Sequence, residues 1–317
     1  MGPQGKKEKI NPFKKFLAVL VVMAVVLLVA TEFLYSYNLV DFSVTQSLSK
    51  YFKVSPVDKE SEEVYFLNVG QGDSTIVKSK GTVAVIDFGP ENENNVLYRS
   101  LLDFGINKID LAVITHSHVD HLGGFLKLAE NFKIKRLLIN DTDAEDADKS
   151  MFQKVLDLAE KKNIEIYKPK INSSFNLGDA TLKIIYADLS AEKENNRSVI
   201  SMLTIAGTNI LFTGDAESKI EKYIAENCNV DCDILKMGHH GSYTSTTKKL
   251  LKAATPKVAI ASAGYDNIYS HPSKWAEQRL EEEKIKIYRT DLDKTIRCRF
   301  DKQNKIFKIT SERKTEF

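Results

Sequence analysis

The sequence predicts an α/β protein built as a four-layer αββα sandwich. Three observations lead there. Short runs such as VYFLNV (64–69), TVAVIDFG (82–89) and IDLAVIT (109–115) are continuously apolar, as strands buried on both faces are. Helical stretches alternate with later strands, which places helices over a sheet. This passage from strands into strand–helix alternation occurs twice, once in each half, so two sheets are expected in one domain.

The elements follow in chain order. Residues 1–15 hold Lys6, Lys7, Lys9, Lys14 and Lys15 against Glu8, a basic tail of +4. Subtracted from the chain's net +2, this leaves −2 for the rest, which disfavours coating nucleic acid through bulk charge. Residues 16–30 (FLAVLVVMAVVLLVA) are unbroken apolar sequence. With Phe33 to Tyr37 included, the segment 16–37 reaches the roughly 20 residues that span hydrocarbon. Lysines before it predict a single-pass anchor in the cell membrane, with the N-terminus cytoplasmic and the remainder outside. The other reading is a cleaved signal peptide and a secreted chain, although no small-x-small site closes the run. Residues 38–62 read as a stalk, 63–311 as the folded domain and 312–317 as a tail.

Within the domain, strands are expected at 64–69, 74–79 and 82–89, then a helix at 95–104 closed by Gly105. Strand 109–115, helix 122–132, strand 136–140 and a turn-rich acidic stretch lead to helix 151–162. Strands at 164–168, 181–187, 199–205 and 209–213 follow. Helices at 216–226, 246–253 and 273–283 alternate with strands at 233–237, 257–262 and 285–289. Strands near 295–310 close the chain. Cys228, Cys232 and Cys298 form no CxxC, so neither a cysteine zinc site nor a disulfide partner is expected.

The chain has six histidines, and five sit in two clusters, each just after an expected strand: His116, His118 and His121, then His239 and His240. Strand-end loops on a rigid sheet are where ligands can be held in place. His116 and His118 are two apart and project to one side of an extended turn. Asp120 and His121 follow where the chain turns into a helix, and Gly123 and Gly124 allow close backbone packing. Imidazole with carboxylate is a donor set for Zn²⁺, Mn²⁺ or iron. A capped helix bearing solvated histidines is the alternative, and it explains HxH better than it explains HxHxDH.

HxHxDH at 116–121 resembles the signature of the metallo-β-lactamase superfamily of metallohydrolases. FLNVGQGDST (66–75), VIDFG (85–89), NNRS (195–198), LFTGDAE (211–217), LKMGHHGS (235–242), SAGYDNIYSHPS (262–273) and YRTDLDKTI (288–296) resemble the hydrolase domain of ComEC-type competence proteins. The resemblance implies two divalent metal ions, Zn²⁺ first and Mn²⁺ as the alternative. His116 and His118 would hold one. Asp120, His121 and one of His239 and His240 would hold the other, and Asp215 would bridge them. Many superfamily members supply a further histidine between HxHxDH and the bridging aspartate. Here there is none, and Asn195, Asn196 and Ser198 occupy that stretch. The first ion is thus short of a protein ligand, and a single-ion enzyme stays open.

The activity implied is hydrolysis of a phosphodiester, with DNA as the substrate, through a metal-bridged hydroxide. Asp120 would orient the hydroxide and take its proton, and His271 would contact phosphate or protonate the leaving group. Asn196, Ser198 and Ser242 are candidate substrate contacts. Gly70, Gly72 and Asp73 read as a tight turn, and Asp87 as a brace for the histidine loop. With one apolar span, transport would fall to a separate DNA-uptake channel. Other phosphodiesters, such as phosphorylcholine esters or nucleotides, are the alternative substrates. A catalytically inactive binding module would show lost ligands, and none is lost here.

Overall fold

The computed structural model describes residues 20, 22–31, 34, 61–91, 94–188, 190–303 and 306–312. The chain divides into two units, Met1–Pro56 and Val57–Phe317. In the first, residues 22–31 are helical, and the Thr31 hydroxyl donates back to the carbonyls of Leu27 and Leu28. The basic tail, residues 16–19, 21, 32, 33 and 35–37 of the 16–37 segment and residues 38–60 of the stalk lie outside the described residues. Among those described, no helix is long and apolar enough to cross a membrane.

The second unit holds two large sheets. The first runs, in spatial order, β17 (Ile306–Ser311), β16 (Ile296–Asp301), β1 (Glu62–Phe66), β2 (Ser74–Ser79), β3 (Thr82–Phe88), β5 (Leu111–Ile114), β7 (Arg136–Ile139) and β8 (Glu165–Tyr167). The second runs β15 (Lys286–Arg289), β14 (Val258–Ala261), β13 (Ile234–Lys236), β12 (Thr208–Phe212), β11 (Ile200–Ile205), β10 (Ala180–Tyr186) and β9 (Ser174–Leu177). β4 (Lys108–Ile109) and β6 (Lys133–Ile134) pair separately. Helices α1 (Asn94–Asp103), α2 (Val119–Leu122), α3 (Phe125–Asn131), α4 (Lys149–Lys161), α5 (Ser218–Asn227), α6 (Lys248–Ala254), α7 (Lys274–Glu282) and α8 (Thr290–Asp293) complete it.

Side-chain alternation assigns the layers. On β3, Ala84 and Ile86 face the second sheet, packing with Leu203, Ile210 and Phe212. Val83 and Val85 face outward onto Leu97, Phe125 and Val155 from the helices. The second sheet repeats this, with Leu211, Leu235 and Ala259 packed beneath Ile220, Leu250 and Leu280. Both faces of each sheet are therefore covered, which is why the strand sequences lack a polar face. This is the αββα sandwich expected from the sequence.

Where the sequence predicts one helix over 122–132, the chain makes two. Gly123 is the reason. A β-carbon there would stand 2.6 Å from the Glu91 backbone nitrogen, in the loop after β3. The Gly124 amide donates to the Gly89 carbonyl at 3.0 Å, so the backbone leaves the helix to dock on that loop.

The far end of the chain closes the first sheet through one carboxylate. Glu63 on β1 pairs in register with Arg299 on β16 and Lys78 on β2. It accepts from the Tyr65 hydroxyl at 2.8 Å, Lys78 Nζ at 3.2 Å and Arg299 Nε at 3.2 Å, and also from Arg297. Burial pushes its carboxyl up, but Arg297, Tyr65 and Lys78 outweigh burial and bring it down from 4.5 to about 2. A depressed carboxylate stabilises the fold above its unfolded value and loses that effect as pH falls through the folded value. The contribution, about 3 kcal/mol from the size of the shift, is thus complete above about pH 4.5 and fades toward pH 2. Glu63→Gln should unfold at lower temperature than wild type at pH 7, with the gap narrowing near pH 2; a gap independent of pH would refute this account.

Candidate metal centre

The centre forms at the carboxyl ends of parallel strands from both sheets. β3 and β5 run parallel in the first, and β12, β13 and β14 in the second. Loops leaving such strand ends are where open α/β sheets bind ligands. β5 delivers Thr115, His116 and His118, and α2 carries Asp120 and His121. β12 delivers Asp215, and β13 delivers His239 and His240.

Each of the five clustered histidines has one ring nitrogen engaged by a neighbour and the other turned inward. His121 Nδ1 donates to Asp87 Oδ2 at 2.9 Å. The same carboxylate accepts from the Thr115 amide and hydroxyl, both at 2.8 Å, so Asp87 braces the histidine loop as expected. The Thr115 hydroxyl, committed as a donor, lies 3.1 Å from His116 Nδ1. His118 Nε2 donates to the Asp146 carbonyl at 3.0 Å, and His240 Nδ1 to the Ser262 carbonyl at 3.1 Å. His239 Nδ1 lies 3.4 Å from the Thr244 hydroxyl. Such outer hydrogen bonds fix ring orientation and tautomer for a metal ligand.

The inner atoms converge on Asp215. Its Oδ1 is 3.4 Å from His121 Nε2, and its Oδ2 is 3.4 Å from His240 Nε2. The same Oδ2 is 3.9 Å from both His116 Nε2 and His239 Nε2. His116 Nε2 and His118 Nδ1 are 3.1 Å apart, and Asp120 Oδ2 is 3.1 Å from His240 Nε2. Both adjacent histidines face inward because both take left-handed backbone, φ 51° at His239 and φ 54° at His240. Gly241 permits the turn to close, since a β-carbon there would stand 2.5 Å from Pro272.

This donor set fits divalent ions. His121 Nε2 and Asp215 Oδ1 are both buried, and neither completes a hydrogen bond among the described residues. Burial alone would lower the His121 and His240 pKa values, yet Asp215 and its neighbouring carboxylates raise both well above the ordinary range. Burial would likewise raise Asp120 and Asp215, which these imidazoles instead hold below the usual carboxylate range. Carboxylates that attract protons onto imidazoles so strongly also attract a cation, whose binding releases those protons.

Asp73, His121, Asp215 and His240 place donor atoms within 4.8 Å of one another. Asp73 nevertheless stands behind the centre. Its Oδ2 takes Lys236 Nζ at 2.7 Å, and its Oδ1 faces His240 Nδ1, the outer nitrogen, at 3.4 Å. Asp73 and Lys236 form a buried ion pair at the back of His240 that was not apparent from the sequence. Two charges bounded by apolar strand residues, in GQGDSTIV and DILKMG, were the available signal.

The centre opens into a pocket of about 610 Å³, lined in part by Gln71, His118, Asn195, His239, Tyr269 and His271. Burial first, then His240 and His239, lowers His271 from 6.5 to about 4, so its imidazole is neutral at neutral pH. Asn196, Ser198 and Ser242 are buried and bonded within the protein. Asn196 Oδ1 accepts from the Glu217 amide, Ser198 Oγ from the Asp215 amide, and Ser242 Oγ meets the Thr244 hydroxyl. Asn195 Nδ2 reaches within 3.5 Å of His239 Nδ1. The acidic loop also braces the centre: besides the Asp146 carbonyl on His118, Asp148 Oδ2 accepts from the Val119 amide at 2.8 Å.

A four-layer sandwich with imidazoles and carboxylates gathered at its strand ends defines a metal-dependent hydrolase. Residues 67–265 match the metallo-beta-lactamase superfamily, and the chain belongs to it. It is 30% identical over 278 residues to "ComE operon protein 3" of Bacillus subtilis (strain 168), covering 81% of this chain and 35% of that protein. It is 25% identical over 250 residues to "Competence protein ComA" of Neisseria gonorrhoeae, covering 76% and 33%. The chain thus spans about a third of the length of these relatives. Among solved structures, CmlA, a diiron beta-hydroxylase from Streptomyces venezuelae, superposes with a TM-score of 0.52 at 14% identity, covering 85% of this chain and 59% of that one. The metallo-beta-lactamase fold protein YhfI from Bacillus subtilis gives 0.51 at 10% identity, covering 72% and 96%. These two likenesses concern the fold.

Proposed function

We propose that the chain is a phosphodiesterase acting on DNA with two divalent ions, held at the outer face of the cell membrane by its N-terminal segment. The observation that carries this is the convergence of four imidazoles, each engaged from behind, on the two oxygens of Asp215, with a fifth, His118, 3.1 Å from the inward nitrogen of His116. His118, His116 and His239 would hold one ion, and Asp120, His121 and His240 the other, with Asp215 between them. His239 then takes the place of the histidine missing between His121 and Asp215. Zn²⁺ and Mn²⁺ both suit this nitrogen and carboxylate set. Bound there, such ions lower the pKa of a water and balance charge on a phosphoryl oxygen.

The chain's own groups do the rest. Asp120 accepts a proton at its carboxylate, and His271, neutral and facing the pocket, contacts phosphate or exchanges a proton with the leaving oxygen. The similarity to competence proteins supports DNA as substrate and a separate DNA-uptake channel as neighbour, which co-purification in detergent tests. The run 16–30 supports the anchor, tested by membrane sedimentation of the chain with and without residues 1–37.

The activity is tested by stripping the full chain of metal, reloading it with Zn²⁺ or Mn²⁺, and assaying bis-p-nitrophenyl phosphate, DNA, RNA and phosphorylcholine esters. Turnover of DNA is expected, with His271→Ala slower at unchanged metal content. Turnover of phosphorylcholine esters alone would move the substrate elsewhere, and metal uptake without turnover would make the chain a binding module.

A further inference from the structure

Among the described residues, the four most exposed aromatic side chains are Tyr243, Tyr265, Tyr269 and Trp275, between 61% and 75% exposed. All lie in the two segments that border the metal pocket. Tyr243 sits between Ser242 and Thr244, whose hydroxyl touches His239. Tyr265 and Tyr269 belong to the loop 264–271. Trp275 stands in the first turn of α7, whose Ser273 amide donates to the Gly241 carbonyl at 2.9 Å. Tyr269 lines the pocket itself, and the other three rings lie within four residues along the chain of residues that line it; scattered exposed apolar residues need no explanation, but such a group does.

The loop is ordered from within. The Asn267 side chain donates to the carbonyls of Gly264 (2.8 Å) and His271 (2.6 Å) and accepts from the His271 amide (2.9 Å). The Gly264 amide reaches Gln71 Oε1 at 3.2 Å. These bonds hold a loop whose aromatic side chains stay in solvent, so its order does not come from burying them. Arg279 similarly holds the segment of Tyr243, donating to the Tyr243 and Ser245 carbonyls.

The rings are also aligned. His240, His271 and Tyr269 form a stack leading outward from the metal centre. His240 and His271 have centroids 6.2 Å apart and planes at 28°, and His271 and Tyr269 5.6 Å and 24°. The stack ends in the exposed ring of Tyr269. A flat aromatic ligand continues such a stack, whereas a quaternary ammonium needs a cage of faces.

Building on the phosphodiesterase reading, we propose that Tyr265, Tyr269 and Trp275, with Tyr243, form a stacking surface for unpaired nucleobases, so that the site takes single-stranded nucleic acid in preference to duplex. Bases paired inside a duplex cannot reach these rings, whereas a single strand can lay its bases on them while its phosphate enters the pocket.

Trp275 is the chain's one tryptophan, so its fluorescence reports the surface directly. The full chain with Mn²⁺, in the cold, is titrated with oligothymidylate, with an abasic sugar–phosphate oligomer, with a DNA hairpin and with phosphorylcholine. Quenching by oligothymidylate and not by the abasic oligomer is expected. Equal responses to these two, no response, or a response to hairpin or phosphorylcholine alone would overturn the proposal. Tyr265→Ala and Trp275→Ala should each lower roughly tenfold the ratio of kcat/KM for oligothymidylate to that for the abasic oligomer, with Tyr265→Phe retaining it. Quenching without hydrolysis of any phosphodiester would leave the surface standing and remove the activity; hydrolysis without quenching would do the reverse.

Discussion

Replacing Asp215 with asparagine is expected to lower turnover by roughly 10³-fold, the rate equivalent of the several kcal/mol that divalent ions supply to such a reaction. The side chain is buried and lies within 3.4–3.9 Å of two imidazoles from each half of the centre, His116 and His239 on one side and His121 and His240 on the other. Asparagine preserves the shape and the backbone bond to Ser198, since that bond uses the Asp215 amide. What it removes is the negative charge between the inward nitrogens. Metal content after dialysis should therefore fall together with activity. On the two-ion reading proposed above, His240→Ala and His239→Ala should each lose one ion. An Asp215→Asn protein with its full metal and near-normal turnover would sink the bridging role.

Lys236→Met should destabilise the fold by about 3–5 kcal/mol, the usual cost of stranding one partner of a buried ion pair. In a domain of this size that corresponds to a fall in Tm on the order of 10 °C. Methionine fills the space of the lysine stem, so the loss isolates the charge. Asp73 is left buried with Oδ2 unpaired, and its Oδ1 already has no hydrogen-bond partner among the described residues. Adding Asp73→Asn should recover part of the loss, because the stranded charge is then gone. Thermal unfolding of the metal-stripped single and double variants measures this; a single-variant loss below about 1 kcal/mol would contradict it.

The histidine clusters were legible because five scarce residues fell directly after apolar strands, and strand ends are fixed by the apolar pattern itself. The layers were legible for the same reason: strands apolar on both sides need cover on both sides. Which of His239 and His240 turns inward was not legible, because the answer lies in two consecutive left-handed residues that bring both rings to Asp215. Asp73 looked like a turn residue, since its partner Lys236 lies 163 residues away along the chain. The two-residue strands β4 and β6 are too short for a pattern to emerge. The break between α2 and α3 comes from the close approach of Gly123 to a distant loop, which no local period encodes. The rings of YDNIY were read as part of a motif, and only the stack onto His271 shows where one of them leads.

The topology also has a meaning in time. The first sheet is closed by β16 and β17, which follow the second sheet along the chain, and the centre draws Asp215, His239 and His240 from the second. A chain still emerging from the ribosome with only β1 to β10 complete has His116, His118, Asp120 and His121 in hand but neither the charge between them nor a finished sheet beneath them. The donor set is therefore complete only once β12 and β13 have been added to β5. A fragment ending before Asp215 lacks the carboxylate on which the imidazoles converge, and two of those four imidazoles with it.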